Sequence, residues 1–258
     1  MKNIKIKFNS LTLYFLLIAL LSGYIKNALI VLFIILFHEF GHIMMALLLG
    51  YKVLSVEIFP FGGLTKIDKL LNTKIYKDLL IATAGILFQL FIYLFCQIRG
   101  LTGDLISNYN LSIMLFNLFP IIPLDGSKIV FELLNYHLSY QKSLVIYSVI
   151  SIIFIVIYFA LNYHYELNNY MIIALFVTKT IEEVKQRKVI HNKFILERFL
   201  YNPEFSKIKN SNQPLNKYQK DTKYYYNINN KVIAEKDYLT QVYHKWYNWQ
   251  SPVILVIL

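Results

Sequence analysis

Six predominantly apolar segments, near residues 9–25, 27–50, 78–98, 105–122, 143–161 and 168–181, constrain this chain more than any other feature. About 20 apolar residues are needed to cross a bilayer as a helix, and only helices or closed barrels satisfy the backbone there. The fold class expected is therefore an all-α polytopic membrane protein with about six transmembrane helices. Composition agrees, because 57% of the 258 residues are hydrophobic and 16% charged, against roughly a quarter charged in soluble domains. The first segment follows Lys2, Lys5 and Lys7 as a signal peptide would, but no small-residue cleavage site comes after it, and it reads as an uncleaved helix.

With the N-terminus inside, the inner loops carry Lys2, Lys5, Lys7, Lys52, Lys66, Lys69, Lys74, Lys77, Lys128 and Lys142. The outer loops carry Lys26 and Arg99. The positive-inside bias then puts both termini in the cytosol. The net charge of +11 falls in short loops and in the tail, which suits lipid headgroups, and nucleic acid is not expected as a partner. Cys96 is the only cysteine, so a metal would have to use His and carboxylates. Glu57 to Gly63, EIFPFGG, interrupts the apolar pattern. It reads either as an interfacial β-hairpin or re-entrant loop, or as a plain turn at the membrane surface.

The second segment, Val31 to Gly50, holds His38, Glu39 and His42 and no other ionisable side chain. Such groups inside a span are expensive and are functional by default. Four residues return to nearly the same helix face, so His38 and His42 aim at one spot, while Glu39 stands beside them without pointing as they do. HEFGH is the HExxH arrangement of zinc hydrolases, two ligands and a general base. Core histidines bonded to neighbouring helices, with Glu39 as a buried polar link, are the plain alternative. Met44 and Met45 read as packing residues. A catalytic zinc takes three protein ligands, and Asp125 in NLFPIIPLDGSK, Asn117 to Lys128, is the candidate third; otherwise it caps the helix that follows. Asn117 could donate to a substrate backbone or an oxyanion.

HEFGH, PFGG and NLFPIIPLDG, in that order and on such segments, resemble a site-2 protease, an intramembrane metalloprotease. In detail the chain is similar to the sporulation branch of that family, the stage IV sporulation protein FB group, over roughly residues 8 to 200. The resemblance implies Zn2+ held by His38, His42 and Asp125, with Glu39 as general base. It also implies Asn117 in substrate positioning. A helical substrate has to unwind, and the strand-like residues near Phe59, Phe61 and Gly62 are where its extended backbone could pair. The sequence departs from the family in placing its second proline at Pro123 rather than at 122. It also has Ile86 and Gln89 where many relatives place Pro and Asn. Gln89 reads either as a polar group facing the site in place of that Asn or, the preferred reading, as an ordinary polar residue of a helix interface.

The expected division is an intramembrane protease domain over 1–184 and a small α/β cytosolic domain over 189–258. The sporulation branch carries a CBS domain there, with ATP as its implied ligand; residues 230–246 would be half of one, or else an aromatic basic segment on the membrane surface. His137, His164, His191 and His244 read as solvated. By resemblance the substrate is a membrane-associated pro-sigma factor, cut in the bacterial membrane surrounding a forespore. Membrane-protein inhibitors and a homo-oligomer are the further partners that reading admits. Two other readings compete: a prenyl-protein-processing protease, which would need a downstream Glu ligand although Glu132, Glu166, Glu182 and Glu183 all lack a matching motif, and a non-enzymatic scaffold with a vestigial site, against which the intact Glu39 argues.

Overall fold

The computed structural model describes residues 5–59, 62–101, 104–161, 167–201, 203–210, 214–228 and 231–249. The chain is mostly helical, with two small sheets. Three helices are long and apolar enough to cross a bilayer: α2 (Ile25–Leu48), α3 (Ile75–Ile98) and α6 (Tyr140–Leu161). Large apolar side chains such as Phe33, Leu47, Phe91, Leu94 and Ile153 stand exposed on them. Water would penalise that surface, whereas lipid tails solvate it. The other segments read as crossings form shorter or mixed helices. α1 (Ser10–Leu21) has 12 residues and α4 (Leu105–Asn117) has 13. α7 (Leu167–Tyr201) is one helix of 35 residues that continues through the charged stretch after Ile181.

The break at EIFPFGG is a hairpin, not a plain turn. β2 (Lys52–Phe59) and β3 (Gly62–Asp68) pair antiparallel, Phe59 facing Gly62. A strand absent from the sequence reading, β1 (Lys5–Phe8), adds in parallel to the other side of β2, giving the order β1-β2-β3. Val53, Val56 and Ile58 on the inner face of β2 pack with Ala46 of α2 and Ile81 of α3, which seats the hairpin on those two helices.

After α4 the chain turns at Pro120 and Pro123 into α5 (Asp125–His137). Ile121 is buried, and the Ile122 N–H donates to Ser151 Oγ of α6 at 2.9 Å. Beyond α7 lie β4 (Lys207–Asn210), β5 (Thr222–Ile228), β6 (Lys231–Ala234) and α8 (Glu235–Trp249), the strands in the order β4-β5-β6. This region shares one hydrophobic core with the helices, since Tyr218, Tyr224, Tyr226 and Leu239 cluster with Ile122, Tyr140, Leu144, Tyr147 and Phe194. Tyr140 stacks on Phe194 with ring centroids 4.0 Å apart. His191, expected to be solvated, is half-buried and stacks on Phe194 at 6.3 Å. The closing VILVIL run and His164 lie outside the described residues.

Candidate metal centre

The four-residue spacing on α2 does what helical geometry dictates. The His38 and His42 rings stand edge to face with centroids 4.7 Å apart. Their Nε2 atoms are 3.0 Å from each other, and each is 2.9 Å from Asp125 Oδ2. All three residues are buried. Asp125 is the first residue of α5, but its carboxylate caps nothing: Oδ2 meets the histidines and Oδ1 accepts from Lys128 Nζ at 2.7 Å.

The outer ring nitrogens settle the tautomers by the chemistry of their partners. His42 Nδ1 lies 2.7 Å from the Ile81 carbonyl oxygen, which can only accept, so that nitrogen carries the proton. His38 Nδ1 lies 2.9 Å from Gln89 Oε1 and donates likewise. With the rings neutral, both Nε2 lone pairs face inward onto a carboxylate, and three acceptor atoms meet at one point. Such a donor set calls for a cation, and two imidazoles with one carboxylate suit zinc with a coordination position left over. One face of α3 builds this surround: Ile81, Gly85 and Gln89 recur every four residues. Gly85 is required there, because a Cβ would lie 2.5 Å from His38 Cε1 and from His42 Nε2.

Glu39 is buried and reaches the hairpin, where its Oε2 accepts from Thr65 Oγ1 at 2.7 Å. Phe59 is half-buried at the end of β2 and pairs with Gly62. Asn117 is half-buried at the end of α4. Phe61 lies outside the described residues. Glu132, weighed in sequence as a ligand of the competing protease type, bonds Lys220 instead, at 2.7 Å.

Sequence reasoning missed Thr65, Ile81 and Lys128, and it undervalued Gln89. The signal for Gln89 was present: a fully buried polar group in an apolar helix needs a partner, and here the partner is His38. Gln89→Leu is expected to weaken zinc binding by about 10- to 100-fold, the usual effect of losing a hydrogen bond to a metal-bound histidine. Competition against a calibrated chelator measures it, and an unchanged affinity would show that His38 needs no such support.

Comparison with known proteins adds family to geometry. Residues 26–104 match the model of peptidase family M50. Over 192 residues the chain is 29% identical to stage IV sporulation protein FB of Bacillus subtilis, covering 70% of this chain and 67% of that protein. A zinc metalloprotease of Methanocaldococcus jannaschii is 33% identical over 128 residues, 44% of this chain and 37% of the relative. The solved site-2 protease from the same archaeon superposes with a TM-score of 0.56 at 22% identity, covering 71% of this chain and 92% of that one, which shows a shared fold.

Proposed function

We propose, for a chain that belongs with the M50 zinc metallopeptidases of the site-2 protease type, that it cuts a membrane-associated precursor protein at the centre formed by His38, His42, Asp125 and Glu39. The observation that carries this reading is the meeting of three buried acceptors, from two separate helices, beside a buried glutamate. In this reading the first two histidines and Asp125 are the ligands. Zinc bound there supplies a Lewis acid and an acidified water.

The chain's own groups supply the rest. Glu39 takes a proton from the attacking water and returns it to the leaving amine, while the Thr65 hydroxyl fixes its Oε2. Asp125 pairs with Lys128, and the Ile81 carbonyl and Gln89 accept from the Nδ1 atoms of His42 and His38, which fixes the ring orientations and aims both Nε2 atoms inward. A helical peptide hides its carbonyls in internal hydrogen bonds, so the substrate must enter extended. β3 pairs with β2 on one side only among the described residues, which leaves an edge to which an extended segment can add beside Glu39. Phe59 and Gly62 face each other at the closed end of that strand pair, and in this reading they bind the extended peptide together with Phe61 and Asn117.

Helices α1, α2, α3, α4, α6 and the first half of α7 would make six crossings with both termini cytosolic, which the loop lysines support. Identity to the Bacillus sporulation protein supports a pro-sigma factor as substrate. Coexpression with candidate pro-sigma factors, followed by sizing, is expected to give a shortened product with the native chain and none with His38→Ala. Equal products from both would overturn the proposal.

A further inference from the structure

Lys220, two residues before β5, is buried to 3% exposure. Its ammonium donates to Glu132 Oε1 of α5 at 2.7 Å and to Asp78 Oδ2 of α3. Both carboxylates are themselves buried. Asp78 is one turn before Ile81, whose carbonyl holds His42, and Glu132 is two turns after Asp125 on the same helix. We propose that Lys220 is a positioning residue for the metal centre, setting the spacing of α3, which orients the histidines, against α5, which presents the third ligand. This rests on the metal reading above.

The physical argument is one of charge. Two buried carboxylates that share an ammonium are drawn together. Deprived of it, they face each other as like charges in poorly screening surroundings, and Asp78 alone retains a second cation, the half-exposed Lys69. Repulsion would then spread the two helices whose separation fixes the distance between Asp125 and the imidazoles. Burial favours a neutral lysine, but Glu132 and Asp78 outweigh it and hold the Lys220 ammonium above the ordinary lysine range.

Nor is Lys220 a loose side chain that happens to reach them. The Tyr218 carbonyl accepts from the Tyr140 N–H at 2.9 Å, and Tyr218 stacks on Tyr224 at 4.6 Å. The buried Arg198 guanidinium bonds the Gln219 and Thr222 carbonyls on either side, while pairing with Glu235. The same guanidinium bonds Asn72, in the loop leading to α3. The tail thus presents the ammonium from a fixed frame.

Two measurements on the full chain in detergent or nanodiscs test this. Lys220→Met should weaken zinc by about tenfold or more, as loss of outer support for a metal site does, and lower kcat with KM within about twofold. Lys220→Arg should recover most of both. Adding Asp78→Asn and Glu132→Gln to Lys220→Met should restore zinc affinity toward native, because the repulsion is removed. Native zinc affinity in Lys220→Met, or no recovery on neutralising the carboxylates, overturns the proposal. Should Lys220→Met fail to fold, the native chain still decides. Coupling is reciprocal, so stripping zinc should speed amide hydrogen exchange in residues 218–228. Unchanged exchange on zinc release overturns the proposal. A native chain that holds no more zinc than His38→Ala would instead remove the metal reading, and this inference with it.

Discussion

Glu39→Gln is expected to lower cleavage by on the order of 10²- to 10⁴-fold, the range for losing a general base, while zinc stays bound. The substitution keeps the shape of the side chain, and an amide oxygen can still accept from the Thr65 hydroxyl 2.7 Å away. What it removes is a basic oxygen able to take up a proton. Because Glu39 stands outside the cluster of His38, His42 and Asp125, metal content should remain at the native level. Cleavage at the native rate would remove Glu39 from the mechanism, and loss of zinc would make it a ligand rather than a base.

Asp125→Asn should behave differently and lose metal and cleavage together. Among the described residues, Asp125 Oδ2 is the one carboxylate oxygen that meets both imidazoles, at 2.9 Å from each. An asparagine offers a weaker neutral oxygen and leaves Lys128 without the carboxylate it pairs with. Zinc would be left to two neutral imidazoles beside an uncompensated cation. The loss should exceed the roughly 100-fold upper figure for removing an outer-shell support. Metal analysis of the purified variant, beside a cleavage assay, checks both halves; a variant that kept stoichiometric zinc would assign the third ligand elsewhere.

The meeting of His38 and His42 was readable because its cause is local. A four-residue spacing inside an apolar run fixes where two imidazoles point, whatever the rest of the chain does. Asp125 was readable only with the help of resemblance, since LDGSK by itself suits a helix cap as well; its place beside the histidines follows from how α5 packs against α2 and α3. The Ile81 carbonyl could not be read at all, because a backbone oxygen has no sequence signature. Gln89 was discounted by a rule that holds for most polar residues at helix interfaces and fails where a histidine waits across the interface. β1 has four residues, too few for a strand pattern to emerge, and exists because β2 offers it an edge. In the tail, the aromatic abundance of the sequence gave no hint that Tyr218 and Tyr224 would join a core with Tyr140 and Phe194, a contact between residues far apart along the chain.

The second glycine of PFGG breaks no strand. Gly63 lies within β3, and a Cβ there would come 2.3 Å from Glu39 Cγ. The Glu39 side chain thus lies directly against the strand, in the space a side chain at residue 63 would fill. From Gly63 the ladder of hydrogen bonds runs to Ile58 in β2 and on to Phe8 in β1. β1 and the Glu39 side chain are therefore the two ends of one lever, joined across three strands.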